Sequence, residues 1–287
     1  MAALAVVFAL QLVTSAPGRD DAGQPRLHSR TFIPQPTATN TVMNTTFDFS
    51  GKVALITGGV SGIGAAASLA FKRAGASVIA CGVTEQELMA AKVNPAFAGI
   101  RIEALDVRDD DAVRRLIGGL PRLDYVVNSA GMIRRGAEHD PATFAEVIDV
   151  NLNGGMRVAT AARPLLAQSK GAIVFIGSVM SYFGGPVQPA YSASKGAVKN
   201  LVMSLGAAYA ADGIRVNGVA PGWVITELSR GARENPERNA QIMGRIPMGR
   251  WAETAEIADP ILFLCSDAAR YMTGTLVPVD GGYLSVG

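Results

Sequence analysis

Tyr191 and Lys195 stand four residues apart in YSASK, inside the longer stretch QPAYSASKGAVKNLVMSLGAAYA. If that stretch is a helix, the two side chains share one face, one turn apart. Ser192, Ala193, Ser194, Gly196 and Ala197 are small and leave that face open to a reacting molecule. A phenol has an ordinary pKa of about 10 and is a poor base at neutral pH. A neighbouring ammonium favours the phenolate and lowers that value. Tyr191 is therefore expected to act as a general acid–base, with Lys195 tuning it. Ser178 ends the apolar run GAIVFIG, at the carboxyl end of a strand, where open α/β sheets bind ligands. It is not expected to be a nucleophile, because the chain has no G-x-S-x-G and no histidine placed to partner it.

The rest of the composition narrows the chemistry. The two histidines, His28 and His139, are isolated, and no cysteine pair has metal-ligand spacing, so no metal site is expected. Cys81 and Cys265 lie in apolar runs and read as buried reduced thiols. A formal net charge of +2 is too small to imply nucleic acid or an anionic membrane as partner.

The glycine-rich LITGGVSGIGAA places Gly58, Gly62 and Gly64 between a strand and a helix, with the spacing G-x-x-x-G-x-G. Such glycines let the backbone turn tightly against a pyrophosphate, and the helix N-terminus offers free N–H groups. No G-x-x-x-x-G-K-[ST] is present, which disfavours a nucleotide kinase or ATPase. The turn predicts dinucleotide binding.

These residues need a scaffold, and the hydrophobic pattern supplies one. Strands are predicted at 53–57, 77–81, 100–105, 123–128, 171–177, 214–220 and 275–280, mostly as continuous apolar runs that suit a sheet buried on both faces. Ala-rich amphipathic stretches alternate with them, including TEQELMAAK, DDDAVRRLIGG and PATFAEVIDVNLNGGMRVATAARPLLAQ. That alternation predicts an α/β fold with a doubly wound parallel sheet of about seven strands and helices on both faces. Hydrophobic residues make up 49% of the 287, enough for one large core, and residues 45–287 read as a single domain. Residues 1–44 read as an N-terminal extension, expected to be disordered or loosely attached. The run MAALAVVFALQLVTSA is too short to span a membrane. It resembles a signal peptide without the basic start. The favoured expectation is that Met43 is the biological start and residues 1–42 are a translated appendage, with export as the competing one.

Taken together, TGGVSGIG, NSAG at 128–131, Ser178, YSASK and PGWVIT at 221–226 resemble the short-chain dehydrogenase/reductase family in order and spacing. The resemblance covers residues 49–287 and implies a Rossmann-type fold, a nicotinamide dinucleotide and a homotetramer or homodimer. It implies an NAD(P)-dependent enzyme that moves a hydride between its cofactor and a secondary alcohol or ketone. By the same resemblance, Lys195 bonds the nicotinamide ribose, Ser178 bonds the substrate oxygen and Asn151 holds a water leading from Lys195 to solvent. Gly58, Ser61, Gly62, the Ile63 backbone and Gly64 would hold the phosphates. Asp106 and Val107 would face the adenine, and Asn128, Ala130 and Gly131 would border the ribose. Pro221, Gly222, Val224 and Thr226 would line the nicotinamide, beside Tyr191 and Lys195.

Departures from the family pattern leave some questions open. Gly82, Val83 and Thr84 stand where NAD-dependent members carry a carboxylate, yet no arginine is placed for a 2′-phosphate. Thr84 could bond either group, so NAD and NADP both remain. Residues 226–250 are expected to form a substrate lid, with Trp223, Leu228, Ile242, Met243, Met180 and Gln188 as pocket candidates. Arg134 and Arg135 could attract an anionic substrate or be simply solvated. A 3-oxoacyl thioester reductase and a catalytically silent dinucleotide sensor are the alternatives. A cytoplasmic location is expected from the cofactor.

Overall fold

The stretch VALIT forms strand β1, Val53–Thr57, over the residues its apolar run predicts. Strands β2 (Ser77–Gly82), β3 (Arg101–Ala104), β4 (Tyr125–Asn128), β5 (Ala172–Ile176), β6 (Arg215–Pro221) and β7 (Leu276–Val279) follow within two residues of their expected limits. The computed structural model describes residues 47–286, so the extension at 1–44 lies outside the described residues. Among the described residues the seven strands form one sheet in the order β3-β2-β1-β4-β5-β6-β7. Every pairing is parallel.

The strands' period of two feeds two separate cores. Ala54 and Ile56 of β1, with Val174 and Ile176 of β5, face one side. There they meet Ala67, Ala70 and Phe71 of α1 (Gly62–Arg73) and Ile257, Ile261 and Leu264 of α9 (Thr254–Cys265). Leu55, Ile173 and Phe175 point the other way. They pack on α3 (Asp110–Gly118), α5 (Gly154–Ser169) and α6 (Pro189–Tyr209), chiefly through Val113, Val158, Leu166, Val198 and Val202. Both faces being apolar explains the absence of polar alternation in these runs. Cys81 and Cys265 are free and buried, and burial pushes both thiols up to about 12.

Two features place the site. The strand order reverses between β1 and β4, which opens a crevice at their carboxyl ends. The stretch 141–168, which reads as one amphipathic helix, is broken. Helix α4 (Pro141–Ile148) passes into a π-helical segment, Asp149–Asn153, before α5 begins. Such a turn carries one residue more than an α-turn and is frequent at functional sites. Here it contains Asn151.

Helix α2 (Glu85–Val93) follows β2. Residues 226–250 fold as short helices, among them α7 (Arg230–Glu234) and α8 (Pro236–Met243). Ile242 and Ile246 from this segment form a small apolar cluster with Val179 and Tyr283. Among the described residues no helix is long and apolar enough to cross a membrane.

Candidate active site

Helix α6 begins at Pro189, so Tyr191 and Lys195 fall in its first two turns, on one face as their spacing requires. The Lys195 ammonium lies 5.5 Å from the Tyr191 ring centre and donates to the Ile176 carbonyl at the end of β5, at 2.7 Å. Lys195 is buried, and loss of hydration pulls it down to about 8. Ser178 is buried just beyond β5, and its hydroxyl accepts the Met180 N–H at 3.1 Å. Its side chain also draws the Tyr191 phenol towards a lower pKa.

The expected lowering of the Tyr191 pKa by Lys195 is not met in the cofactor-free protein. Burial pushes the phenol above its ordinary value. The Ser178 side chain and the charge of Arg135 pull it back, and the charge of Glu138 pushes it up. The physical reason is geometric: the buried Lys195 spends its ammonium on a backbone carbonyl, and the half-buried phenol loses part of its water.

Several positioning residues escape a reading of motifs. Glu138 is fully buried. One of its oxygens accepts the Arg134 N–H at 2.8 Å, and the other accepts the Tyr191 N–H at 2.7 Å. The carboxylate thus sits at the positive end of α6 and ties the loop after β4 to the turn that carries the phenol. Ser194 donates to the Tyr191 carbonyl at 2.7 Å and accepts from the Asn151 amide at 3.1 Å. The other bonds of Asn151 go to the Met132 backbone, at 2.8 and 3.0 Å. Ser181 accepts the Ser178 N–H and donates to the Lys195 carbonyl. A Cβ added to Gly131 would lie 3.5 Å from Asn151 Oδ1 and 3.7 Å from Lys195 Nζ, so that glycine keeps the space around the pair open.

The crevice beside β1 has the form a dinucleotide needs. Gly58 and Gly62 have φ of +61° and +52°, values that favour glycine. A Cβ on Gly64 would stand 2.1 Å from the Gly58 carbonyl oxygen, so the third glycine lets α1 close on the turn. Ser61 precedes α1 without capping it, and no acid lies in the helix's first turn. Across the crevice, the Thr226 methyl would lie 3.6 Å from a Cβ on Gly62. Thr57 accepts the Ser129 and Ala130 N–H groups, which fastens the NSAG loop to β1. The buried Asn128 donates to the Gly155 carbonyl while its Oδ1 has no partner among the described residues. Pro221 ends β6, the Gly222 N–H bonds the Val279 carbonyl, and the buried Val224 accepts from Ser229. These glycines, the uncapped helix and the orphaned amide oxygen fit a nicotinamide dinucleotide.

Asp106 and Val107 lie beyond β3 rather than at its last residue. The Asp106 carboxylate turns to Arg108 at 2.7 Å, which holds it below its ordinary range. Val107 packs against the position of Gly154. Thr84 caps α2, accepting the Glu87 N–H at 3.3 Å, and Glu87 in return accepts the Val83 and Thr84 N–H groups. The pattern T-x-x-E was the sign of this capping box. It sets a carboxylate at the end of β2, whereas Glu85 is exposed.

A cleft of about 690 Å³ is lined by residues close in the chain to Ser178 and Tyr191, namely Met180 and Gln188. Met180, Gln188, Trp223 and Ile242 line it, as expected of them. Leu228 and Met243 do not: Leu228 is exposed, and Met243 packs against the small cluster around Tyr283. Arg135 reaches the cleft, while Arg134 turns to Glu146 at 3.9 Å.

Comparison with known proteins agrees with this geometry. A family model described as Enoyl-(Acyl carrier protein) reductase matches residues 58–284. The 2-dehydro-3-deoxy-D-gluconate 5-dehydrogenase of Pseudoalteromonas atlantica is 38% identical, covering 83% of this chain and 98% of its own. Galactitol 2-dehydrogenase (L-tagatose-forming) of Cereibacter sphaeroides is 40% identical, covering 83% and 97%. Among solved structures, a gluconate 5-dehydrogenase from Burkholderia cenocepacia in complex with NADP and tartrate superposes with a TM-score of 0.78 at 32% identity, covering 84% of this chain and 98% of that one. With the phenol, the ammonium and the glycine turn meeting at the reversal of an all-parallel sheet, the chain belongs to the short-chain dehydrogenase/reductase family.

Proposed function

We propose that the protein interconverts a secondary alcohol and its ketone, with Tyr191 as the proton donor and acceptor. One observation carries this reading: Tyr191 and Lys195 share one face of the first two turns of α6, with the ammonium 5.5 Å from the phenol ring and bonded to the carbonyl at the end of β5, two residues before Ser178. A bound NAD or NADP supplies hydride chemistry at the substrate carbon. Ser178, oriented by the Met180 N–H, binds the substrate oxygen and stabilises charge that develops there. In reduction Tyr191 gives its proton to that oxygen, and in oxidation it removes one. Lys195 anchors the ribose, and Asn151 with Ser194 fixes the helical turn from which the phenol projects.

For the dinucleotide we assign Gly58, Ser61, Gly62, Ile63 and Gly64 to the phosphates, and Thr84, Asp106 and Val107 to the adenosine. Asn128, Ala130 and Gly131 border the ribose, and Pro221, Gly222, Val224 and Thr226 line the nicotinamide. Relatives that act on a deoxy sugar acid and on a sugar alcohol support a small polyhydroxylated substrate. We read residues 45–287 as one domain, with 1–44 as an extension, working in the cytoplasm as a homotetramer or homodimer. Exposed Phe144, Met156 and Met203, on α4, α5 and α6, support self-association.

The test is Tyr191→Phe. Turnover, followed by nicotinamide absorbance, is expected to fall by about a hundred- to ten-thousandfold. Dinucleotide binding, followed by thermal shift, is expected to hold. Full activity in the variant would remove Tyr191 from the reaction.

A further inference from the structure

Relatives on both sides of a chemical divide, an acid and a neutral polyol, leave the ionic character of the substrate open. The cleft beside Ser178 and Tyr191 is more decided. Arg135, Arg238 and Arg245 line it, and no Asp or Glu does among the described residues. None of the three has a carboxylate partner among the described residues. Arginines elsewhere, such as Arg122, Arg157 and Arg163, are paired at 2.6 to 2.8 Å.

The two lid arginines are also oriented. The Arg245 guanidinium lies 4.4 Å from the Tyr283 ring centre and 5.9 Å from that of Phe183. The Arg238 guanidinium lies 5.9 Å from the Trp223 ring. An aromatic face beneath a guanidinium restricts its plane and aims its N–H edge. The Arg245 guanidinium has no hydrogen-bond partner among the described residues. Arg238 spends one N–H on Gln241 Oε1 at 3.2 Å and Arg135 one on the Leu228 carbonyl at 3.1 Å, each keeping further N–H groups for an anion. Two buried polar atoms of residues in the same lining lack partners among the described residues: Gln188 Oε1 and the Trp223 indole nitrogen. Gln188 is itself almost wholly buried, at 4% exposure, and lies three residues before Tyr191. Orphaned polar groups in the wall of a cleft call for a partner, and a ligand or an ordered water supplies one.

We propose that Arg238 and Arg245, with Arg135, form a carboxylate subsite, and that the substrate is a hydroxylated carboxylic acid. The acid end lies under residues 226–250, its hydroxyls meet Gln188 and Trp223, and the reacting carbinol sits at Ser178 and Tyr191. This rests on the proposed dehydrogenase reading and extends it from substrate reactivity to substrate charge.

The experiment is a calorimetric titration of the full chain, saturated with dinucleotide, using sodium gluconate, glucitol and glucitol 6-phosphate as probes. Gluconate is expected to bind at least tenfold more tightly than glucitol. Arg245→Gln and Arg238→Gln are each expected to erase most of that difference while leaving dinucleotide and glucitol affinities unchanged. Gluconate binding no tighter than glucitol, including no binding of either, overturns the subsite. Tighter binding of the phosphate ester than of gluconate overturns the carboxylate assignment. Equal weakening of gluconate and glucitol in both variants does so too. The readout is affinity, so it separates from the Tyr191→Phe test: an active phenylalanine variant would end the proton role and leave the gluconate preference standing.

Discussion

Burial and three neighbours compete over one proton at Tyr191, and two of those neighbours come from the same loop. Arg135 favours the phenolate and Glu138 opposes it. Glu138→Gln keeps an acceptor for one backbone N–H but removes the negative charge. The midpoint of alcohol oxidation against pH is therefore expected to move to lower pH, with KM for dinucleotide unchanged. A midpoint that stays in place, with activity lost only through poorer folding, would reduce Glu138 to a structural brace. The sequence made Tyr191, Lys195 and Ser178 legible because their chemistry is written in residue type and short spacing. Glu138 was not legible, since its partner lies 53 residues away and only the fold brings the carboxylate to the N-terminus of α6. Arg135 could be read as a cation, but its pull on the phenol depends on how the loop after β4 folds. The direction of the Tyr191 shift was missed for the same reason, since burial is a property of the folded molecule.

Elements were legible where their periodicity was strong. Both faces of β1 and β5 are apolar, so their runs announced buried strands within a residue or two of the observed ends. The π-helical segment at Asp149–Asn153 was invisible, because one added residue leaves composition and average periodicity unchanged. The glycine turn shows how sharply an element can constrain one side chain. In Gly64→Ala the new carbon would lie 2.1 Å from a backbone oxygen, so α1 must move away from the turn. Calorimetric unfolding is expected to report a loss of about 1–3 kcal/mol, together with weaker dinucleotide binding. Gly118→Ala, where nothing lies within 4 Å, is the matching control and is expected to keep stability and binding. An unaltered Gly64→Ala protein would mean that the helix does not rest on the turn.

For the molecule as a whole, Lys195 makes stability depend on pH. Its folded value of about 8 lies below the ordinary 10.5 of a lysine. Between those values the unfolded chain binds more protons than the folded one, so stability contributed by this group rises with pH. From pH 8 to 9.5 the cofactor-free protein is expected to gain roughly 1–2 kcal/mol relative to Lys195→Met, measured by urea denaturation. A parallel pH response in both proteins would place the ammonium in contact with water. The strand order and the crevice at its reversal followed from the βα alternation, whereas the charge of the cleft depended on α8 and the loop after β4 folding towards each other.

Arg135 belongs to two neighbourhoods, the cleft and the phenol. An acid seated there would cancel much of its field, and the hydroxyl of Tyr191 would then hold hydrogen more firmly than in the empty enzyme. Occupancy itself would make the phenol a weaker acid, and alcohol oxidation would demand a higher pH than the empty enzyme suggests. The molecule would thus sense that its guest has arrived through electrostatics alone, without moving a strand.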